Sequence, residues 1–559
     1  MILDFVSGET PADFASDLCL IGAGAVGIAM GLEFADSRAR VLVVEGGGED
    51  PEPDTQRLYE SRLRGLRCTT VVSGRARIFG GTTTMWAGQA LPLDECDFDR
   101  REWVDHSGWP VSFAELLPYY RRAERLMGLP EAFYDDRDWP AALPRPPLIE
   151  GTRRRFSTFT STPNFAAAHR AALAAADNLT VLLHANATRL IMSEDGSRVD
   201  GIEIRSLSGR TGRVRSRRYV ICCGGIETPR LLLASNAQGR RGVGNEHDLV
   251  GRFFQEHVNV GVPVLAADRR RMARLFHGRR LAGVRYYAKL SASSELQRRE
   301  HLVNVGSHVN YARVDTVAER AVKELTAALR RDWRDADARR ALAETLRHPW
   351  QLASAGCGRA MVRHARSLDA ACAALRVRRM PLYALQGFGA MYACVQTETV
   401  PRRVSRVTLD RRADGLGMAR AIVDWRVGEA ELRTAEVFAR RLDALLRRHG
   451  LGYLDLSGLP LSRDLDRLSE RVGGGCHHMG TTRMSNDPRT GVVDRDCRVH
   501  GVQNLFVAGS AVFPTSGWSN PTLTLLALGL RLADRLRREL GASTPVASLR
   551  GEHRAVAHR

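Results

Sequence analysis

The segment Gly22-Ala23-Gly24-Ala25-Val26-Gly27 constrains the fold of this chain more than any other. A short apolar run, Asp17-Leu18-Cys19-Leu20-Ile21, precedes it and reads as a buried parallel strand. A helical pattern of Ile28, Ala29, Met30, Leu32 and Phe34 follows. Then comes a second strand, Arg40-Val41-Leu42-Val43-Val44, ending in Glu45. In that order these pieces make a βαβ dinucleotide-binding unit. Gly22 permits the tight turn, Gly24 lets a pyrophosphate approach the backbone, and Gly27 lets helix and strand pack closely. The helix N-terminus then faces the phosphates. Glu45 stands about 20 residues beyond the glycines, where an acid holds ribose hydroxyls. These features alone leave NAD and FAD open.

Further along, Gly80-Gly81-Thr82-Thr83-Thr84-Met85-Trp86-Ala87-Gly88-Gln89 is a glycine-rich segment. Met85 and Trp86 suit packing against a large planar ligand better than an exposed loop. A helix is expected over 113–127, with strands over 179–183, 188–192, 201–205 and 219–223. The last strand ends at Gly224-Gly225, and Thr228-Pro229 reads as the start of a helix, Thr as N-cap and Pro in the first turn. From about 255 to 470 the character changes. Alternation over 303–311 predicts a strand, 317–346 a solvated Arg/Glu/Ala-rich helical insertion, and 434–449 an amphipathic helix. Asn504-Leu505-Phe506-Val507-Ala508, closing in Gly509-Ser510, is again a buried strand, so the nucleotide domain is expected to be discontinuous.

Composition narrows the function classes. With 44% hydrophobic and 26% charged residues, the 559-residue chain has ample material for a globular core. The net charge of +19 raises nucleic-acid binding as a question. Yet 80 of the 82 basic residues are arginine, with only Lys289 and Lys323 as lysines, and they are spread along the chain. A diffuse charge is not a recognition motif, so no nucleic-acid partner is expected. No apolar run approaches the roughly 18–20 residues that span a bilayer, and the first residues lack a secretory pattern. A cytoplasmic protein is the expectation. The ten cysteines show no zinc-type spacing and read as reduced, mostly buried thiols.

The C-terminal stretch carries the chemistry. Gly475-Cys476-His477-His478-Met479-Gly480-Thr481-Thr482 supplies a base that works near neutral pH, and Ser519-Asn520-Pro521-Thr522-Leu523-Thr524 opens a helix over 523–530 that is apolar nearly all round. If the His477 segment is extended, His477 and His478 point to opposite faces, leaving one base, one packing residue and no metal pair. Asn520 before Pro521 is a strong helix start, so Asn520 is expected both to cap the helix and to offer its amide to a substrate oxygen.

Across nearly its whole length the chain resembles the glucose–methanol–choline (GMC) flavin oxidoreductases. The likeness rests on Gly22 to Gly27 with Glu45, on the loop 80–88, on 224–235, and on the end from His477 to Thr524. It implies FAD and an α/β fold, with a discontinuous Rossmann-like FAD-binding domain and a second α+β substrate-binding domain. The expected division is 1–254 and 471–545 for the FAD domain, 255–470 for the substrate domain, and a disordered tail over 546–559. By resemblance, His477 is the active-site base and Asn520 its partner. Gly22, Gly24, Gly27, Glu45, Gly81, Thr82, Ala187, Gly509, Ser510 and Thr522 hold the cofactor, with Gly509 and Ser510 beside the ribityl-phosphate and Ala187 beside the adenine.

The His477 and Asn520 segments look most like the branch of pyranose oxidases and related sugar oxidoreductases. Three positions depart from that branch. Met85 replaces a histidine that bonds to flavin, so FAD is expected to be non-covalent. Ala87 replaces a threonine near the flavin N5, which bears against efficient use of oxygen. Ser235-Asn236 stands where Ser-Gly is usual.

The expected reaction is oxidation of an alcohol group of a sugar, glycoside or polyol to a carbonyl. His477 takes the hydroxyl proton and the flavin N5 takes the hydride. A neutral imidazole is available at pH 7 because its ordinary pKa is about 6.5. Three other readings stand beside this one: a hydrophobic alcohol such as a sterol or long-chain alcohol as substrate, a flavin-retaining lyase, and a binding protein with a vestigial nucleotide site. Polar side chains from 255–470 lining the pocket would favour sugar; a deep apolar tunnel would favour lipid. The acceptor (oxygen, quinone or another) and the oligomeric state are left open.

Overall fold

A computed structural model describes residues 1–68, 70–129, 133–141, 143–235, 241–281, 283–311 and 391–541. The helical insertion expected over 317–346, the tail over 546–559 and Asn236 lie outside the described residues.

The βαβ unit forms as its pattern requires. Phe14–Ile21 and Val41–Val44 pair in parallel, with Ile21 beside Val44. All four residues of the second strand are buried, as a strand covered on both faces must be. The helix Ala25–Glu33 lies between them, and Gly27 sits so close to the turn that a Cβ there would stand 1.9 Å from the Gly22 carbonyl oxygen. The parallel sheet runs Ile2–Asp4, Leu179–Leu183, Val41–Val44, Phe14–Ile21 and Thr211–Ile221. Thr211–Ile221 then serves two neighbours. Its first part pairs antiparallel with Val199–Arg205, and its last residues, Tyr219 to Ile221, pair in parallel with Leu505–Val507. That double use explains why it is longer than the expected strand over 219–223. The strand near the C-terminus therefore completes a sheet begun at the N-terminus.

The helix after this strand begins earlier than expected. Gly224–Ala234 starts with Cys223 at the cap, so Thr228 and Pro229 lie inside it and Thr228 is not its N-cap. Pro229 leaves the Gly225 carbonyl without its helical N–H donor. The Thr481 hydroxyl donates to that carbonyl instead, at 2.7 Å. A tertiary contact thus replaces the missing helical bond.

Among the described residues the second layer is a nine-stranded antiparallel sheet. Its main path runs Gly452–Leu454, Val258–Ala266, Met391–Thr397, Val305–Tyr311, Val284–Ala292, Thr152–Phe159 and Gln89–Ala90. Gln89–Ala90 and Thr152–Phe159 cross the division expected at residue 254. So does Ser61–Gly65, which pairs with Ala419–Trp425 in a third, three-stranded sheet. The helix Glu429–Arg448 packs against the antiparallel sheet and buries Leu432, Phe438, Leu442, Leu445 and Leu446. Each such side chain contributes about 1.5–3 kcal/mol of burial. No described helix is long and apolar enough to cross a membrane.

Candidate active site

One cavity of about 640 Å³ is lined by residues from both ends of the chain. Gly22, Gly24, Glu45, Gly81, Thr82, Ala187, Gly509, Ser510 and Thr522 all contribute to its wall, with His477 and Asn520. Gly27 does not line it; it lies beneath, against the turn. Met85 and Trp86 also line the cavity. The Trp86 indole is pinned by its N–H to the Pro163 carbonyl at 2.7 Å, while Met85 stands exposed.

At the nucleotide end, the Glu45 carboxylate accepts from the N–H groups of Ala23 at 2.8 Å and Gly47 at 2.9 Å. It is thereby held at the strand tip beside the turn. Burial lifts its carboxyl above the ordinary range, against these bonds. Nearby, burial would also raise Glu227, but Arg230, Arg75 and Arg77 outweigh it and hold that carboxyl at about 2. Arg77 reaches on to Asn186 at 2.8 Å. The result is a glycine cradle with a fixed acid and buried guanidinium groups. An FAD fits this donor set: backbone N–H groups and a helix N-terminus for the pyrophosphate, and Glu45 for a ribose.

At the other end, His477 is held from below by Glu256. The buried Glu256 carboxylate accepts from the N–H of His477 at 2.9 and 3.0 Å, of Gly475 at 3.1 Å and of His257 at 2.7 Å. Burial pushes its pKa up to about 7, against these bonds. Because the folded value lies above the ordinary one, the contribution is full below about pH 4.5 and is lost as pH rises through 7. Glu256→Gln removes that titration. Thermal unfolding should therefore show the wild type losing stability relative to the variant between pH 5 and 8. A pH-independent difference would contradict this account.

The His477 ring lies 2.9 Å from His257, Nδ1 to Nδ1, and its Nε2 lies 3.3 Å from the Asn520 amide nitrogen. Asn520 Oδ1 accepts from the Lys289 ammonium at 3.5 Å. Burial, and then the proximity of His257, His478 and Lys289, holds His477 well below the usual histidine range. Its lone pair is therefore available at neutral pH. Burial lowers His257 to about 3 and Lys289 to about 8. His478 faces other neighbours, as expected for an extended pair. Its ring stacks on Phe254, its carbonyl accepts from the Ser510 hydroxyl at 2.7 Å, and burial lowers it to about 3. A Cβ at Gly225 would stand 2.3 Å from that same carbonyl oxygen, so the start of the Gly224–Ala234 helix abuts the histidine segment. Cys476, expected among buried thiols, is exposed.

Asn520 does not cap the helix. The helix runs Thr522–Glu539 with Pro521 in the cap position and no side-chain cap bond. The Asn520 amide bonds to His477 and Lys289 instead.

Sequence reasoning missed Glu256, His257, Lys289 and Gln396. One signal was present: Lys289 is one of two lysines among 82 basic residues, and it is buried beside the candidate base.

The chain is similar to known proteins over much of its length. Two GMC oxidoreductase family models match, one over residues 166–259 and one over 401–529. The fructose dehydrogenase large subunit of Gluconobacter japonicus is 25% identical over 65% of this chain, though the match spans only 55% of that protein. The 2-methyl-1,2-propanediol dehydrogenase of Mycolicibacterium austroafricanum is 25% identical over 95% of this chain and 96% of its own length. Among solved structures, pyridoxine 4-oxidase from Mesorbium loti superposes with a TM-score of 0.56 at 19% identity, covering 93% of this chain and 99% of that one, which shows the shared fold. With its Rossmann-like nucleotide layer and antiparallel second sheet, this chain belongs to the GMC oxidoreductase family and is an FAD-dependent alcohol oxidoreductase.

Proposed function

We propose that the protein oxidises a hydroxyl group of a sugar, glycoside or other polyol. The observation that carries this reading is the wall facing the histidines. Asn259, His308, Asn310, Cys394 and Gln396 line the cavity from three adjacent strands. Along Val258–Ala266, Met391–Thr397 and Val305–Tyr311 their alternate neighbours, Val258, Val260, Ala393, Val395, Val305 and Val309, are buried in the apolar core behind. An antiparallel sheet with one core face usually turns its polar face to water. Here that polar face is turned to the site. Hydroxyl-rich substrates match such donors and acceptors, whereas a sterol or long alkyl chain would leave them unpaired at about 1–3 kcal/mol each.

When bound, FAD supplies the hydride acceptor. The chain supplies the base and the clamp. A substrate hydroxyl that takes the place of the Asn520 amide at His477 Nε2 donates its proton to that nitrogen and accepts from the displaced amide N–H. The Lys289 ammonium, bonded to the far side of Asn520, stabilises negative charge as it develops on that oxygen. Hydrogen-bonded orientation by the wall sets which carbon is presented. FAD is held without a covalent bond in this reading, because the Met85 thioether is no nucleophile for it; acid precipitation should release all of the flavin into solution.

The test is an anaerobic screen of sugars, glycosides, polyols, long-chain alcohols and sterols, read by bleaching of the flavin absorbance. Reoxidation by oxygen, quinone or dye then identifies the acceptor. Polyols should bleach the flavin fastest; faster bleaching by a sterol or long-chain alcohol would overturn the reading. Asn259→Leu and Asn310→Leu should each raise KM for the best sugar by about tenfold, the equivalent of one lost hydrogen bond. Their effect on a short monohydric alcohol should be much smaller.

A further inference from the structure

We propose that His257 and Gln396 are positioning residues that lock His477 in the tautomer with its proton on Nδ1, leaving Nε2 as the base. This rests on the reading of His477 as the base. The direction of every hydrogen bond follows from groups that have no choice. The Trp518 carbonyl can only accept, so the Gln396 atom bonded to it is the amide nitrogen. The same nitrogen lies 2.9 Å from His257 Nδ1 and donates its second hydrogen there. His257 Nδ1 is therefore an acceptor. His477 Nδ1, 2.9 Å from that atom, is then the only one of the two Nδ1 atoms that can carry the hydrogen between them, and it shares the single lone pair of His257 Nδ1 with the Gln396 amide.

The opposite side of the ring gives the same answer independently. The Lys289 ammonium can only donate, so Asn520 turns its oxygen toward Lys289 and its amide nitrogen toward His477. The N–H of that amide needs a lone pair, and His477 Nε2 provides it. Both neighbours thus ask for the same tautomer: Nδ1 protonated, Nε2 free.

The arrangement has a catalytic consequence. When Nε2 takes the alcohol proton, the Nδ1–H bond to His257 persists and strengthens as the ring becomes charged. The wrong tautomer would point N–H at both Asn520 and the substrate hydroxyl, and could accept no proton there. Burial keeps His257 neutral, so it remains an acceptor throughout.

The direct test is the ring nitrogen resonances of the holoenzyme labelled with 15N-histidine, the His477 signals being assigned by difference against His477→Ala. A pyrrole-type Nδ1 and a pyridine-type Nε2 support the proposal; the reverse pattern overturns it. This readout does not depend on turnover. Failure of His477→Ala to lower flavin reduction would sink the role of His477 as base and leave the tautomer assignment to stand or fall separately.

Two variant pairs add a kinetic readout. His257→Phe should slow flavin reduction about 100-fold, with substrate Kd changed by less than about threefold, and His257→Gln, which restores an acceptor oxygen, should recover most of the loss. Gln396→Glu is nearly isosteric, but its carboxylate demands the Nδ1 proton of His257 and reverses the chain. It should therefore cost more in the rate of reduction than Gln396→Leu. If Gln396→Glu is the milder variant, or His257→Gln is as poor as His257→Phe, the two residues serve only packing and the proposal fails. Bound-flavin absorbance shows in each case that the variant has folded.

Discussion

Replacing His477 with alanine should slow anaerobic reduction of the bound flavin by roughly 10²–10⁴-fold, the usual contribution of a positioned general base. FAD should stay bound, because His477 bonds to Glu256, His257 and Asn520, whereas the cradle is fixed separately, with Glu45 held by Ala23 and Gly47. The wild-type pH profile should carry a matching signature. Burial, with His257, His478 and Lys289 nearby, holds His477 well below the ordinary histidine value. The rate of reduction should therefore stay level as pH falls through 6.5 and drop only at distinctly lower pH, where Nε2 becomes protonated. That acid limb should vanish in His477→Ala. Stopped-flow reduction across pH measures both effects. A variant rate within tenfold of wild type would remove His477 from the chemistry.

The second large effect is expected at Gly27. A Cβ there meets the backbone oxygen of Gly22 at 1.9 Å, and no flexible side-chain end is available to move aside. Gly27→Ala must push the helix Ala25–Glu33 away from the turn, at about 3 kcal/mol or more. Purified variant should be colourless and should unfold at clearly lower temperature. Gly24→Ala provides the contrast. A Cβ at Gly24 meets nothing within 4 Å, so the folded chain tolerates it. It stands where the pyrophosphate approaches the backbone, so this variant should fold normally and bind FAD weakly. Near-normal FAD content in both variants would contradict the assignment of the cradle.

The two glycines show why so much of the nucleotide layer was legible. Gly22 to Gly27, the flanking apolar runs and Glu45 lie within about 30 residues, and each piece is specified by local rules: period, turn chemistry and helix entry. The strand Leu179–Leu183 was readable at its observed bounds for the same reason. Thr228-Pro229 was misread because local helix-start rules cannot anticipate that Thr481, far along the chain, supplies the donor that Pro229 lacks. Asn520 was half misread on similar grounds: its amide is drawn away from the helix by Lys289 and His477.

His257, Lys289 and Gln396 carry no local signature. They stand just before or within strands of the second layer, and what each side chain faces depends on register across the antiparallel sheet. A slip of one residue would exchange Asn259, Cys394 and Gln396 for Val260, Ala393 and Val395, turning the polar wall into core and the core into wall.

The sequence by itself determined the nucleotide-binding fold and, through its resemblance to the GMC oxidoreductases, the kind of reaction, because short-range patterns encode turns, helix entries and residue chemistry. Only the tertiary structure decided which way the amide of Asn520 faces, what holds His477 from behind, and that Asn259, His308, Asn310 and Gln396 line one cavity with it. Those depend on donors and acceptors brought together from hundreds of residues apart, where the direction of a hydrogen bond is set by its partner.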